Sequence, residues 1–386
     1  MATANSKVLR AYYTKISALE TATGRTFKEG DIILDSDITG ASGLSWQQIA
    51  LNGPISDLKF MTEALEAEQY GPYTRDTIAI KGDEKPEGVL NQFHNSLTST
   101  THLNILKNAL GAVVAGSGNT DTVASDAINS ATVDATGTSI ASGDVGKFIN
   151  IGDNKTVLLN VSGSTLTLAS KINAKAGDTI LVPTQNHFDL DTLDDDPFVL
   201  FVETEKDNHL VSWVRFGLDF STAPNQLFKM TFNFQGDTAP ISTLTNATIG
   251  TVVAEQASLS MSTTTFKGVH ISTTDNYCAN TFDFKLTRDM TRKACQGTES
   301  QNGNGGTDRK QYKTELTVVA YESGLNSEYE ANDYITVLAQ KSGIAIYAEG
   351  ALIKSEDTNT ITDNMHTTTY VISANVDMSK KLMISL

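Results

Sequence analysis

The sequence predicts a mainly β protein: a β-sandwich or barrel, duplicated, with flanking α-helices and a small inserted β module. Three observations carry this. Phe228–Gln235 alternates strictly between apolar and polar residues, the period of a strand with one face buried. Residues 112–183 are rich in Ala, Gly, Ser, Thr, Asn and Asp, hold almost no aromatics, and contain short β-type runs divided by turns. The order of elements in the first part of the chain recurs in the last part.

In chain order, residues 1–30 are polar, lack clear periodicity and read as an N-terminal arm. The segment 31–60 holds short apolar pieces broken by Gly40, Gly43, Gly53 and Pro54. Asp76–Lys81 reads as a strand, and Glu87–Leu110 as a helix ended by Gly111. The module then supplies strands at Val145–Ile151, Thr156–Val161, Thr165–Ala169 and Thr179–Val182, with Ser162, Gly163 and Ser164 as a turn. After it come an apolar run at Phe198–Val202 and an alternating stretch that sets Leu210, Val214, Phe216, Leu218 and Phe220 on one face. Phe282–Leu286 and Leu316–Tyr321 read as strands. A capping box of Ser327 and Glu330 starts a helix over Glu328–Lys341, with Gly343 placed to end it. Strands at Ile344–Ala348 and Thr369–Val376 complete the chain.

In the repeat, Met61–Arg75 and Met290–Lys313 are equivalent long loops, each followed by a strand and a helix. The domains expected are the arm at 1–30, a first unit at 31–111 plus 184–240, the module at 112–183 and a second unit at 241–386.

The chain has 386 residues, 39% hydrophobic and 19% charged, enough apolar material for packed cores. Its formal net charge of -16 disfavours a protein that grips nucleic acid by its phosphates. Cys278 and Cys295 are the only cysteines, too few for a disulfide framework, and suit a reducing cytoplasm. Met1–Arg10 holds no apolar run of a secretory leader, and no stretch approaches a membrane span.

Catalytic and metal patterns are sparse. His94, His102, His187, His209, His270 and His366 show no zincin spacing. No nucleophile elbow is present, and Gly143–Lys147 and Gly303–Gly306 lack the end of a phosphate loop. The acidic stretch of Asp189, Asp191, Asp194, Asp195 and Asp196 is the best metal candidate but lacks EF-hand spacing, so a solvated acidic linker is expected. The expectation is no enzyme, no cofactor and no metal.

In the order of these elements, in Arg215–Phe220 followed by Phe232–Gly236, and in the glycine-rich 302–307 stretch, the chain resembles the tail tube proteins of long-tailed bacteriophages. The resemblance implies a β-sandwich flanked by a helix, a polar arm, and long loops that reach the next ring. It implies a virion protein made in the host cytoplasm, whose stacked rings, trimeric and pseudo-hexameric or hexameric, form the conduit for genomic DNA. Implied partners are further copies of itself and the tape measure, distal tail and terminator proteins, with no membrane. The module would face outward from the bore. Contact candidates are Tyr12 and Tyr13 in the arm and Glu66, Tyr70, Tyr73 and Arg75 in the first loop. In the second loop they are Arg292, Lys293, Asn304, Arg309 and Lys310. The alternative is another phage or surface β-protein: a tail fibre, decoration or carbohydrate-binding module.

Overall fold

The computed structural model describes residues 8–49, 56–59, 62–70, 75–84, 86–93, 100–190, 192, 196–221, 229–253, 266–271, 275–277, 279–294, 304–320, 334–341, 344–362, 365–373 and 382–385. The fold is mainly β, as the alternating patterns require. Strands are numbered in chain order.

One sheet runs β19 (Thr251–Val253), β2 (Ser45–Gln48), β1 (Val8–Lys15), β15 (Phe198–Thr204), β16 (Asn208–Ser221), β17 (Lys229–Gln235), β6 (Glu87–Phe93), β3 (Ser56–Lys59), with β18 (Ile241–Ser242) on β16. The module sheet runs β8 (Thr120–Thr122), β13 (Thr179–Leu181), β10 (Phe148–Ile151), β11 (Asn154–Ser162), β12 (Thr165–Ala174), β9 (Ala127–Asp134).

Another sheet runs β21 (Asp275–Tyr277), β20 (Phe266–Ile271), β24 (Ile335–Lys341), β25 (Ile344–Thr362), β26 (Met365–Ser373), β23 (Asn304–Ala320), β22 (Ala279–Ala294). On its β25 lies β27 (Leu382–Ser385), followed outward by β14 (Gln185–Asp189) and β7 (Ala112–Ala115). β4 (Thr62–Tyr70) and β5 (Arg75–Glu84) form a separate ribbon. The helices are α1 (Ile16–Thr23), α2 (Asp35–Thr39) and α3 (Thr100–Leu110).

The two large sheets repeat one topology. Read along the chain, β1, β2, β3, β6, β15, β16, β17 and β18 correspond to β20, β21, β22, β23, β24, β25, β26 and β27. Every antiparallel pairing of the first set has its counterpart in the second. β1 joins β2 and β15 as β20 joins β21 and β24. β15, β16, β17, β6 and β3 follow one another as β24, β25, β26, β23 and β22 do. β18 returns to the start of β16 as β27 returns to the start of β25. Matching order and matching connections across eight strands argue for one unit used twice.

This correspondence moves the boundaries read from sequence. Val8–Lys15 is a strand inside the first sheet and Ile16–Thr23 a helix, so the arm cannot extend through residue 30. The link after residue 240 also belongs to the first unit, because β18 and β19 lie in its sheet. There Asp35 accepts from Ser242 Oγ at 2.7 Å, Thr243 N at 2.8 Å and Thr243 Oγ1 at 2.6 Å. Burial works to raise that carboxyl's pKa, but the hydrogen bonds from Thr243 and Ser242 hold it below its usual value.

The central core lies between the two large sheets, with Phe198, Phe216, Phe232 and Phe234 from one side and Phe284, Leu316, Val337 and Ile346 from the other. α3 closes it with Ile105, Leu106, Ala109 and Leu110. The buried Asn108 fixes this helix: Phe216 N donates to its Oδ1 at 3.0 Å, and its Nδ2 donates to the Asp196 carbonyl at 3.1 Å. A second core covers the opposite face of the first sheet, where Ile16, Leu19, Phe27, Ile38 and Trp46 meet Val199 and Phe201. β15 is therefore buried on both faces, which accounts for its unbroken apolar run.

β16 departs from the single-face reading. Trp213 takes φ +58°, and the register with β15 shifts between Val211 and Val214. This bulge puts Val211, Val214, Phe216 and Leu218 in the central core and Leu210 and Trp213 in the second one.

Two expected helices are partly strands. Glu87–Phe93 pairs with β17 along its whole length, and the helix starts only at Thr100. Ile335–Lys341, expected to be helical, is β24 between β20 and β25; residues 328–333 lie outside the described residues. Val337 and Ala339 enter the central core while Leu338 leaves on the other face, a period of two that burial enforces over local propensity. Gly111 does end α3, its amide donating to Lys107 O at 2.8 Å.

The module folds around its own core, which includes Val133, Ile149, Leu158, Leu166, Leu168 and Ile180. It does not hang free. Phe148, Val157 and Ala169 pack on Leu338, Ala345, Tyr347 and Met383, the outer face of the second sheet. Its entry and exit strands, β7 and β14, pair with each other, and β14 pairs with β27. An insertion in the first unit is thus joined to the second. Buried Asn186 in β14 completes the joint: Phe148 N donates to its Oδ1 at 2.7 Å and its Nδ2 donates to Phe148 O at 2.8 Å.

At the same joint the Lys155 amine donates to Ser385 Oγ at 2.9 Å, and burial lowers its pKa to about 8. Between that value and 10.5 the unfolded chain binds a proton that the folded chain does not, so stability rises with pH there. Lys155→Met is expected to flatten this rise in a series of denaturant titrations from pH 7 to pH 10.5. A slope unchanged by the substitution would assign it to other groups.

Candidate assembly surfaces

The long loops of the sequence reading lie in two-stranded ribbons, the first of them supplying β4 and the strand that follows it supplying β5; residues 61, 71–74 and 295–303 lie outside the described residues. β4 and β5 pair from Thr62↔Glu84 to Tyr70↔Arg75. Their register sets Leu65 opposite Ile80 and Ala67 opposite Ile78, and on the alternate positions Glu66 opposite Ala79 and Glu68 opposite Thr77. The strand signal at 76–81 was legible, but its partner over Thr62–Tyr70, with three glutamates, reads as loop because glutamate is depleted in strands.

The counterpart in the second unit is continuous with its sheet. β22 and β23 pair from Ala279↔Ala320 out to Ala294↔Asn304, while among the described residues β26 accompanies β23 from Glu315 to Ala320. Beyond that point, from Thr287↔Lys313 outward, the described ladder has two strands. The same division holds in the first unit, where β3 and β6 stay in the sheet and β4 and β5 continue as the ribbon. A two-stranded ribbon gains little stability alone and is held by what it packs against.

The contact candidates divide accordingly. Glu66, Tyr70 and Arg75 lie in the first ribbon, the last two paired at its end. Arg292 is opposite Thr307, Asn304 opposite Ala294 and Arg309 opposite Met290 in the second, which also holds Lys293 and Lys310. Tyr73 lies outside the described residues. Tyr12 and Tyr13 are core residues, each 1% exposed: the Tyr13 ring meets that of Phe198 at a tilt, 4.9 Å between centroids, and Tyr12 lies 6.0 Å from Phe201. Neither is available to a neighbouring subunit in this fold; their β-strand alternation was hidden by the polar residues around them.

The acidic stretch is structural where it is described. Asp196 accepts from Ser17 Oγ at 2.5 Å and Ser17 N at 3.3 Å, so it caps α1, whose own N-cap residue supplies no side-chain bond. Asp189 accepts from Thr192 Oγ1 at 2.7 Å. Asp191, Asp194 and Asp195, and both Cys278 and Cys295, lie outside the described residues. Of the histidines, His187 shares a 2.9 Å bond with Asn186 and His209 a 3.3 Å bond with the Ala239 carbonyl. Among the described residues no three His, Cys, Asp or Glu side chains gather as a metal site, and no helix is long and apolar enough to cross a membrane.

No protein-family model and no curated protein matches the chain.

Proposed function

We propose that the chain is a structural subunit of a bacteriophage tail tube, assembling into stacked rings that conduct DNA and performing no catalysis. The observation that carries this reading is the doubled unit, each copy prolonged by a two-stranded ribbon beyond its own sheet. Two equivalent units per chain let three chains present six near-equivalent positions round a ring. Ribbons that are marginal alone acquire a partner on stacking. A net charge of -16 suits a conduit through which a polyanion must slide without being held. The edges of both sheets would pair with neighbouring copies, which removes the hazard of open strands.

The reading is tested by shortening one ribbon. Thr287 and Lys313 are cross-strand partners, so replacing residues 288–312 by an Asn-Gly turn preserves the sheet. The shortened chain is expected to fold as before by circular dichroism but to stay monomeric in light scattering, while the full chain assembles. A full chain that never assembles would overturn the reading; a shortened chain that assembles as well as the full one would remove the ribbon from it.

A further inference from the structure

The two ribbons occupy equivalent places in the repeat and carry opposite charge. β4 and β5 contain six acidic residues and two basic ones, Arg75 and Lys81. The outer ladder, Thr287–Ala294 with 304–313, contains six basic residues and two acidic ones, Asp289 and Asp308. The net charges are therefore -4 and +4. In a chain of net charge -16 so strong a basic segment is against the trend, and its site on the counterpart of an acidic ribbon gives it a partner.

We propose that the basic ribbon of one copy docks on the acidic ribbon of another copy of this chain. This rests on the self-assembly reading above and names the contact that drives it. Units of the first and second kind alternate round any ring of duplicated chains, so unlike ribbons become neighbours at each junction between copies. Opposite charges speed encounter and fix which unit meets which. Acidic against acidic, or basic against basic, is repelled, which excludes junctions that would break the alternation.

Charge exchange tests it. One variant carries Glu63→Lys, Glu66→Lys and Glu68→Lys; another carries Arg292→Glu, Lys293→Glu and Arg309→Glu. Each alone is expected to assemble at least about tenfold more slowly in light scattering, with circular dichroism unchanged. An equimolar mixture of the two, and a single chain bearing both sets, are expected to recover assembly. If a reversed chain fails to fold, the corresponding glutamine substitutions serve, with a smaller loss of rate. Wild-type growth should also slow between about 0.05 M and about 1 M salt.

Wild-type tubes that form indifferently to salt and to either reversal would overturn the ribbon pairing and leave the tube reading standing. Slow variants that do not rescue each other would likewise overturn it. A short DNA duplex bound by the wild type and lost on reversal of the basic ribbon, with assembly intact, would assign that ribbon to nucleic acid instead. A wild-type chain that does not assemble at all would remove both readings together.

Discussion

Phe216→Ala is expected to lower the unfolding free energy by about 3–5 kcal/mol, the range for deleting a fully buried aromatic side chain. Phe216 is 0% exposed and sits where three rings converge: centroid distances are 5.7 Å to Phe198, 6.3 Å to Phe232 and 6.2 Å to Phe234. Its amide is held by Asn108 of α3, so the backbone there has little freedom to collapse into the space left behind. The loss should appear as a lower midpoint in urea with tryptophan or circular-dichroism detection. A change below about 1 kcal/mol would mean that the core between the sheets is more plastic than close packing allows.

Gly111→Ala is expected to be the other severe substitution. Gly111 has φ +123°, and a Cβ built there would lie 2.0 Å from the Asp189 carbonyl oxygen and 2.8 Å from that of Thr192. Both contacts are backbone, so relief requires the α3 terminus and the module stalk to separate. The cost combines a forbidden backbone conformation with that displacement, about 3 kcal/mol or more. Gly163→Ala is the control: its φ is +63° but nothing lies within 4 Å of the new methyl, so about 1 kcal/mol is expected. Hydrogen exchange should show β7 and β14 opening in the Gly111 variant while β11 and β12 stay protected by the module's own core. Equal stabilities for the two variants would contradict the close approach at the stalk.

The sequence was most legible where burial is one-sided and local. β17 and the β11–β12 hairpin appear in the amino-acid pattern much as they are in the fold, because alternation and a turn at Gly163 suffice to define them. It was least legible where distant partners decide. Glu87–Phe93 and Ile335–Lys341 carry helix-compatible residues and become strands because neighbours from far along the chain complete their ladders. The N-terminal strand was obscured in the same way: Tyr12 and Tyr13 face two different cores, each completed by β15, nearly two hundred residues along the chain. The repeat is visible in the sequence as an order of elements, but its second half aligns differently in the fold, where the strand at 335–341 stands in the place expected for a helix. Of the proposed contact residues, those on the two ribbons were found through their position between repeated elements, not through any motif.

Negative-stain electron microscopy of the purified full chain at high concentration tests the tube assembly itself. Hollow tubes built of stacked rings are expected, three chains to a ring, with a bore wide enough to pass duplex DNA. Solid fibres, or particles no larger than a monomer at every concentration and salt, would contradict a tube subunit.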